Sequence, residues 1–484
     1  MAFALHRRRI TAALVASLVL AGCMVGPDYQ RPAVDAPADY RFAASEARDA
    51  ANTSWWRQFG DPVLDGLIDE ALAHNWGVRI AAANVEAAAA VLTQTRAPLF
   101  PQIGYSGQGL RERFSEDTTA PVPGSFRNPR SELQVLAGAS WEIDLWGRVR
   151  RQSEAARAQL LATEEARRGV ILSLVGTVAS SYVELLGLDE QLVVAKKTQG
   201  AYKESLRLFE LQFKHGQVSE MAVAQARSQY ETATAQIPGI ERQIAKLENA
   251  MSILVGRNPG PIARGKTIKT LAGPAIPAGL PSQLLERRPD ILQAEQQLIA
   301  ANALIGAARA LYFPSISLTG ALGSTSSQLS NLFSGPARTW NFAGSLIGPI
   351  FTAGAISGQV AQAEATQKAA ADNYRQVIQS AFADVSNALI DRQKLVEQLA
   401  AQQKLVAALR DYSRLSRLQY DEGYVPYSTV LQAEQQLFPA ELNLAATRAA
   451  SLSALVSIYK ALGGGWVDEA AALAPAPATE STSP

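Results

Sequence analysis

Cysteine is nearly absent: the 484 residues contain one. No intramolecular disulfide can form, and no cysteine cluster can hold a metal. Histidine is almost as scarce. Only His74 and His215 lie beyond the first 23 residues, which excludes most metal sites and histidine-based triads. Charge of either sign is not in excess, since the formal net charge is +1. A nucleic-acid partner would need a basic face, so none is expected. Aromatic residues make up 7% and charged residues 18%, with a mean hydropathy of -0.01. That balance is too polar for a bundle of membrane helices. After residue 23 there is no run of about 18 consecutive apolar residues, the length a spanning helix needs. If this chain crosses a membrane, it does so with strands.

What is present starts with a secretion signal. His6-Arg7-Arg8-Arg9 is a basic end, and an apolar run follows over 10–20, too short to span a bilayer. It ends in Leu20-Ala21-Gly22-Cys23. This resembles the bacterial lipobox, in which the thiol is acylated and cleavage makes the cysteine the new N-terminus. The chain's one cysteine falls where lipidation requires it, and two or three acyl chains give a firm anchor. The following residue is Met24 and not Asp, which under this resemblance implies delivery to the outer membrane.

The chain repeats itself. Arg96-Ala97-Pro98-Leu99-Phe100-Pro101-Gln102-Ile103 matches Arg309-Ala310-Leu311-Tyr312-Phe313-Pro314-Ser315-Ile316, 213 positions on. Phe213-Lys214-His215-Gly216-Gln217-Val218 matches Tyr420-Asp421-Glu422-Gly423-Tyr424-Val425, and Leu254-Val255-Gly256 matches Ala461-Leu462-Gly463, both 207 positions on. The spacing drops by six between the first motif and the others, so one intervening loop is shorter in the second copy. Each copy has the order helix, Phe-Pro turn, strand pair, long helix, Gly turn, helix.

The long helix is written in steps of three and four. Ile171, Leu174, Val178, Ser181, Leu185, Leu188, Leu192, Ala195, Gln199, Tyr202, Leu206, Phe209 and Phe213 form a heptad seam, apolar or aromatic at all but two positions. The second copy keeps the register more loosely through Ile378, Val385, Leu395, Leu399, Val406, Leu409 and Tyr420. No proline interrupts 150–213, and a helix of roughly 60 residues is about 90–100 Å long. An extended coiled-coil stalk without a pore would show the same seam.

The strand pairs add what a stalk lacks. Residues 102–111 alternate through Ile103 and Tyr105, and 131–145 through Leu133, Val135, Ala137, Ala139 and Trp141. In the second copy, 315–323 places Ile316, Leu318 and Leu322 on one face, and 338–347 places Trp340, Phe342 and Leu346 on one face. Each run is near the length of a membrane-spanning strand. The loops at about 112–130 and 324–337 are polar and rich in Gly, Pro and Ser, as on the extracellular side of outer-membrane barrels. A soluble antiparallel sheet capping the helices is the plainer alternative. Four strands cannot close a barrel, which begins at about eight. An open edge in lipid leaves backbone groups unpaired at several kcal/mol each. Copies of the chain must therefore pool strands: two give eight and three give twelve.

Several long blocks resemble a known family in the right order. Cys23-Met24-Val25-Gly26-Pro27-Asp28-Tyr29-Gln30-Arg31-Pro32, Trp55-Trp56-Arg57-Gln58-Phe59-Gly60-Asp61-Pro62-Val63-Leu64, and Leu280-Pro281-Ser282-Gln283-Leu284-Leu285-Glu286-Arg287-Arg288-Pro289-Asp290-Ile291 are similar to blocks of TolC-like outer-membrane efflux lipoproteins of the OprM/NodT branch. With the repeat they cover nearly all of the chain after the signal. The resemblance implies a mostly α protein with a membrane β part. Three chains would share a 12-stranded barrel in outer-membrane lipid, continued by a helical tube across the periplasm. The tube would dock with a periplasmic adaptor (membrane fusion) protein and an inner-membrane transporter of the resistance–nodulation–division (RND) type. An equatorial belt would come from 257–280 and the residues beyond Leu462. The resemblance also implies gating and adaptor contact where the helices turn back, at Phe213, Gly216, Tyr420, Gly423, Tyr424, Val425, Tyr427, Thr429 and Gln432. Family members often carry an acidic ring just after the second turn. Here that stretch reads Thr429, Val430, Leu431, Gln432 and Ala433, so an aspartate constriction is not expected there. Asp411 and Asp421 are the remaining acidic candidates.

The expected divisions are a signal peptide at 1–22, a lipid-anchored extended segment at 23–60, and a first repeat at 61–260 with its strand pair at 102–145. An inter-repeat linker at 261–281, a second repeat at 282–469 with its strand pair at 315–350, and a disordered tail at 470–484 complete the chain. Two features point toward enzymes and are set aside. Gly260-Pro261-Ile262-Ala263-Arg264-Gly265-Lys266-Thr267 fits the phosphate-loop pattern, but a helix precedes it where a strand should, and Pro261 removes one N–H donor. Glu142 and Asp144, two apart, would share a strand face without a His or Lys nearby, as rim or lumen residues. No catalytic residue, cofactor or metal is assigned. A lipid-anchored coiled-coil scaffold without a pore is the alternative to a channel.

Overall fold

The computed structural model describes residues 24–34, 37, 54–115, 117, 127–276, 281–463 and 466–476. The expected signal peptide and Cys23 lie outside them. A 3-10 turn at Trp55–Phe59 leads into α1 (Pro62–His74) and α2 (Trp76–Arg96). Then come β1 (Gln102–Glu112), β2 (Arg130–Ile143), α3 (Arg148–Lys214) and α4 (Glu220–Leu254). The second pass gives α5 (Pro281–Arg287), α6 (Pro289–Ala310), β3 (Ser315–Ser326), β4 (Arg338–Ile347), α7 (Ala355–Asp421) and α8 (Tyr427–Leu462). A last helix, α9, spans Trp466–Leu473.

The repeat is visible in the backbone. The two long helices, α3 and α7, have 67 residues each. Glycines with positive φ punctuate both copies at matched places: Gly147 and Gly354 before the long helices, Gly216 and Gly423 after them, Gly256 and Gly463 at the ends of the return helices. An L side chain is disfavoured at such φ values, so these turns are fixed by residue type. The six-residue drop falls in the interstrand loop, which occupies 113–129 in the first copy and 327–337 in the second.

Two compact units emerge, and they cut across the repeats. The first comprises 1–33, 87–162 and 295–373; the second comprises 34–86, 163–294 and 374–484. In the first unit, the four strands pair antiparallel in the order β1-β2-β3-β4. Beneath them Ala155 and Ala158 of α3 pack on Ala300 and Ala303 of α6. Small side chains let these helix backbones approach closely.

The second unit holds the main apolar core. Trp55, Trp56 and Phe59 are fully buried with Leu64, Ile68 and Leu72 of α1 against Ile171, Val175, Val178 and Tyr182 of α3. The heptad seam of α3 is buried or half-buried at every position except Phe213. Between 171 and 188 a second face of α3 is buried as well, through Leu172, Val175, Ala179, Val183 and Leu186. An 18-residue window of α3 is apolar enough to cross a membrane by composition, yet 61% of it is buried inside the protein. It is apolar because it is core.

One expectation is corrected. Residues 470–473 belong to α9 and are not a disordered tail. Val467 and Ala470 bury themselves in the core of the second unit, Arg167 donates to the Pro475 carbonyl at 2.9 Å, and Arg168 pairs with Asp468 at 3.4 Å. Alanine-rich composition serves a helix with a buried face as well as it serves a loose tail. Residues 477–484 lie outside the described part.

Candidate functional site: an amphipathic sheet and a packed helix turn

The sheet has one apolar and one polar face, set by register. Pairing places Ile103 opposite Ala139, Tyr105 opposite Ala137, and Gly107 opposite Val135. It continues with Ala137 opposite Leu322 and Trp141 opposite Leu318, then Leu322 opposite Trp340 and Gly320 opposite Phe342. All the strand residues singled out in the sequence therefore share one face. That face is bare: Tyr105 is 92% exposed, Trp340 70% and Phe342 78%. Trp340 and Phe342 stack on one another at 5.5 Å. The opposite face carries hydroxyls and amides. Ser317 and Ser345 share a hydrogen bond at 2.6 Å, and Gln134 reaches Thr325 at 3.4 Å. Its charges sit toward the strand ends, where Arg130 pairs with Glu112 at 2.5 Å and Arg148 with Glu142 at 2.8 Å. A water-soluble sheet hides its apolar face; this one exposes it and leaves β1 and β4 as open edges.

Glu142 and Asp144 do not form a pair. β2 ends at Ile143, and Asp144 caps the start of α3, accepting from the Val149 and Arg150 N–H groups at 3.0 and 2.9 Å. Glu142 is taken by Arg148. Both carboxylates are structural.

In the second unit the helix turns are closed by the chain itself. The Gly216 N–H donates to the Phe213 carbonyl at 2.9 Å and the Gln217 N–H to Gln212 at 2.9 Å. Gly423 and Tyr424 repeat the pattern onto Tyr420 and Gln419 at 2.9 and 2.8 Å. This paired closure is what a left-handed glycine after a helix permits. Above the turns the aromatic side chains meet. The Phe209 ring lies 4.1 Å from Tyr427 and 6.3 Å from Tyr420, and the two tyrosines are 5.4 Å apart. Val430 and Leu431 complete this plug with Val223 and Ala226 of α4. Burial pushes the Tyr427 hydroxyl up to about 12, and Glu434 adds to it.

The expected turn residues thus divide. Tyr427 is buried and Tyr420 half-buried in the plug, and Val425 and Thr429 are half-buried. Phe213, Gly216, Gly423, Tyr424 and Gln432 are exposed. Asp421 is exposed, and Asp411 is an exposed partner of Arg414 at 3.2 Å. Sequence reasoning missed a polar clamp behind the plug. Arg417 donates to the Ser205 hydroxyl at 3.1 Å and to Glu434 at 3.4 Å, and the Tyr202 hydroxyl donates to the Glu434 carbonyl at 3.3 Å. Glu434 follows Ala433 directly, so it was within sight as the first acid after the turn.

Burial holds the Glu434 carboxyl above the ordinary glutamate range, against the pull of Arg417. A folded-state pKa above the unfolded one means that the group favours the folded state fully below the unfolded value, and this support is lost as pH rises through the folded value. Glu434→Gln should therefore be no less stable than the parent at pH 7.5, and the parent should gain relative to the variant on acidification to pH 5. Helical melting midpoints at the two pH values check this. A variant clearly less stable at pH 7.5 would mean that the ion pair outweighs the cost of burial.

The phosphate-loop-like stretch is already occupied by the protein's own groups. The Lys266 N–H donates to Asp61 at 2.9 Å, Gly265 to the Tyr182 hydroxyl at 2.9 Å, and Ile262 to Glu248 at 3.3 Å. Arg264 grips Asp189 at 2.9 and 3.2 Å and also pairs with Glu248. Asp61 is itself buried, caps α1 through Val63 at 3.0 Å and accepts from Tyr182 at 2.7 Å. The loop is a clasp, with a carboxylate where a nucleotide phosphate would sit. Asp61→Ala should cost about 1–3 kcal/mol, from a lost cap and a freed buried N–H, read as a lower midpoint of urea unfolding.

Comparison with known proteins decides what this arrangement belongs to. The profile of the outer membrane efflux protein family matches residues 67–257 and 280–464, both repeats of the chain. The chain belongs to the outer membrane efflux protein family. It is 38% identical to the cation efflux system protein CusC of Escherichia coli O6:H1 over 456 residues, covering 93% of this chain and 97% of CusC. It is also 38% identical to the solvent efflux pump outer membrane protein SrpC of Pseudomonas putida, covering 94% of this chain and 97% of SrpC. A crystal structure of CusC, from work on its folding and transmembrane channel formation, superposes with a TM-score of 0.81 at 36% identity, covering 91% of this chain and all of that one. The fold class expected from the sequence, mostly α with four strands per chain and TolC-like, holds for this family member.

The blocks that carried the resemblance now have physical reasons. In Leu284-Leu285-Glu286-Arg287-Arg288-Pro289-Asp290, the buried Arg288 holds Asp290 at 2.6 Å and Asp384 at 3.0 Å, and donates to the Ala461 carbonyl at 3.0 Å. It ties α6 to α7 and to the end of α8.

Proposed function

We propose that the protein is the outer-membrane channel of a tripartite efflux system. It gives passive exit to drugs or other toxic small molecules that an inner-membrane RND pump delivers through a periplasmic adaptor. The observation that carries this reading is the sheet: its apolar side chains face outward unburied, its other face is polar, and both edges are open. Lipid satisfies the first, a water-filled lumen the second, and strands of further copies the third. Three chains close twelve strands, the number the family resemblance implies, with the polar faces inward. The loops at 113–129 and 327–337 then face outside the cell, and the helices lie in the periplasm.

Cys23 is the lipidated residue in this reading. At the turns, Tyr420 and Tyr427 with Phe209 form the packed gate. Phe213 and Tyr424, exposed and apolar, are the surface offered to the adaptor, with Gly216, Gly423, Val425, Thr429 and Gln432 shaping it. CusC is named for cations and SrpC for solvents, so one scaffold serves unlike cargo and selection rests with the pump. A channel of this kind needs no catalytic residue and no cofactor.

The full-length protein, extracted from outer membranes in detergent, should have three times the chain mass and conduct ions in planar bilayers. Deleting its gene should raise drug sensitivity, with rescue by the intact gene. A delipidated chain that is a water-soluble monomer without barrel content would overturn the reading in favour of a poreless scaffold.

A further inference from the structure

We infer that residues 24–31 are a rigid coupler that fixes the depth at which the acylated Cys23 enters the membrane, with Arg151 and Glu295 as its positioning residues. The inference rests on the lipidation and outer-membrane reading above. All of the groups concerned lie in the first unit.

This segment has no secondary structure of its own, yet it is held along its length. The Arg151 side chain is only 2% exposed, and its guanidinium donates to the Val25 carbonyl at 3.3 Å, the Gly26 carbonyl at 3.4 Å and the Asp28 carboxylate at 2.8 Å. Its remaining arm pairs with Glu154 at 2.8 Å. Asn302 donates to the Pro27 carbonyl at 3.0 Å, the Tyr29 hydroxyl donates to Glu295 at 3.0 Å, and Arg31 pairs with the same carboxylate. The anchoring points on α6 are Gly306, Asn302 and Glu295, so the segment runs antiparallel to that helix. Gly26 has φ of 108°, and a Cβ there would stand 2.3 Å from the Gly306 Cα. Backbone lies directly on backbone, with no room for a side chain on either.

The upper end of the segment coincides with the foot of the sheet. The Val25 N–H donates to the Trp146 carbonyl at 3.1 Å, and Met24 packs over Gly147. Trp146 stands between the end of β2 and the start of α3. Its ring stacks on Phe313 at 4.5 Å, and its N–H donates to the Pro314 carbonyl at 2.8 Å, one residue before β3. Phe100, Tyr312 and Phe351, at the same ends of the strands, are exposed. Aromatic side chains collected at one end of membrane strands mark the bilayer interface. Cys23 is two residues ahead of Val25, at most about 7 Å along the chain. Its acyl chains therefore start at the level of this aromatic girdle. A flexible tether would allow the lipid to insert anywhere within reach; this segment allows one depth, that at which the strands begin. Anchoring then presents the strands to the bilayer at their working height and couples lipid insertion to barrel assembly.

The test uses the full-length protein in outer membranes. Inserting Gly-Ser-Gly-Ser between Cys23 and Met24 keeps the acylation site and every contact of the segment, but uncouples the lipid from it. Arg151→Met keeps the spacing and releases the segment. Mass spectrometry of the N-terminal peptide reads acylation, and the fraction of heat-resistant trimer reads assembly. Both variants should be acylated with less trimer than the parent, and for Arg151→Met the trimer fraction should fall about tenfold, the effect of roughly one charge-assisted hydrogen bond. An acylated insertion variant that assembles like the parent overturns the coupler and leaves the channel reading intact, even if Arg151→Met fails to fold. A parent protein without an acyl group overturns the lipidation on which the coupler rests, and the mass spectrum separates that outcome from the other.

Discussion

Leu318→Arg should abolish assembly in the outer membrane, while Thr319→Arg, one residue away, should leave a working channel. The two positions share β3 and the same depth, so any difference comes from the face. Leu318 pairs with Trp141 and Gly344 on the apolar face, and Thr319 with Ser140 and Ala343 on the polar face. A guanidinium on the lipid face costs up to about 2–4 kcal/mol, most at the bilayer midplane and less toward the interface, and in the proposed trimer that cost arises three times. On the polar face the same group meets water. Heat-resistant trimer in isolated membranes measures the first effect. Conductance of the Thr319→Arg channel, with a shift of its ion preference toward anions, measures the second. Equal loss of trimer in both variants would contradict a sheet with one side in lipid and the other in a lumen.

Much of this face was legible in the sequence, because alternation needs only the pleat to become geometry. Ile103, Tyr105, Leu133, Val135, Trp141, Leu318, Leu322, Trp340, Phe342 and Leu346 could be sorted before any pairing was known. The heptad seam of α3 was legible for the same reason. Residues whose partners are distant in sequence were not legible. Ser205 and Glu434 meet through Arg417, Asp61 and Lys266 meet across more than two hundred positions, and the Arg288 cluster joins three helices. No local period encodes such contacts. Asp144 was misplaced by one residue at a strand end, which is enough to turn a face residue into a helix cap. The first residues of the expected tail, 470–473, were misjudged because alanines suit a loose tail and a short helix alike until a buried neighbour is known. The phosphate-loop pattern was satisfied by a loop whose N–H groups an internal carboxylate and phenol had already claimed.

Trp55→Ala should unfold the second unit more severely than any change at the turns. Trp55 precedes the first repeat, yet its ring stacks on Tyr459 near the end of the second at 5.0 Å, with Trp56 edge-on at 5.9 Å and Phe59 at 6.2 Å. The Tyr459 hydroxyl in turn donates to the Ala275 carbonyl at 2.5 Å, in the stretch between the repeats. The Trp55–Tyr459 stack thus joins the segment ahead of the first helix, the inter-repeat stretch and the last long helix. Removing a fully buried Trp costs about 3–5 kcal/mol in lost transfer energy and cavity, a large share of the 5–15 kcal/mol that stabilises a typical domain. The loss should appear as a drop in the thermal midpoint of helical ellipticity, with the trimer lost at growth temperature. Trp55→Phe keeps an aromatic face against Tyr459 and should recover most of the midpoint. If Trp55→Ala left the midpoint within a degree or two of the parent, α8 would not depend on this contact, and the core of the second unit would have to be held by the α1 and α3 side chains alone.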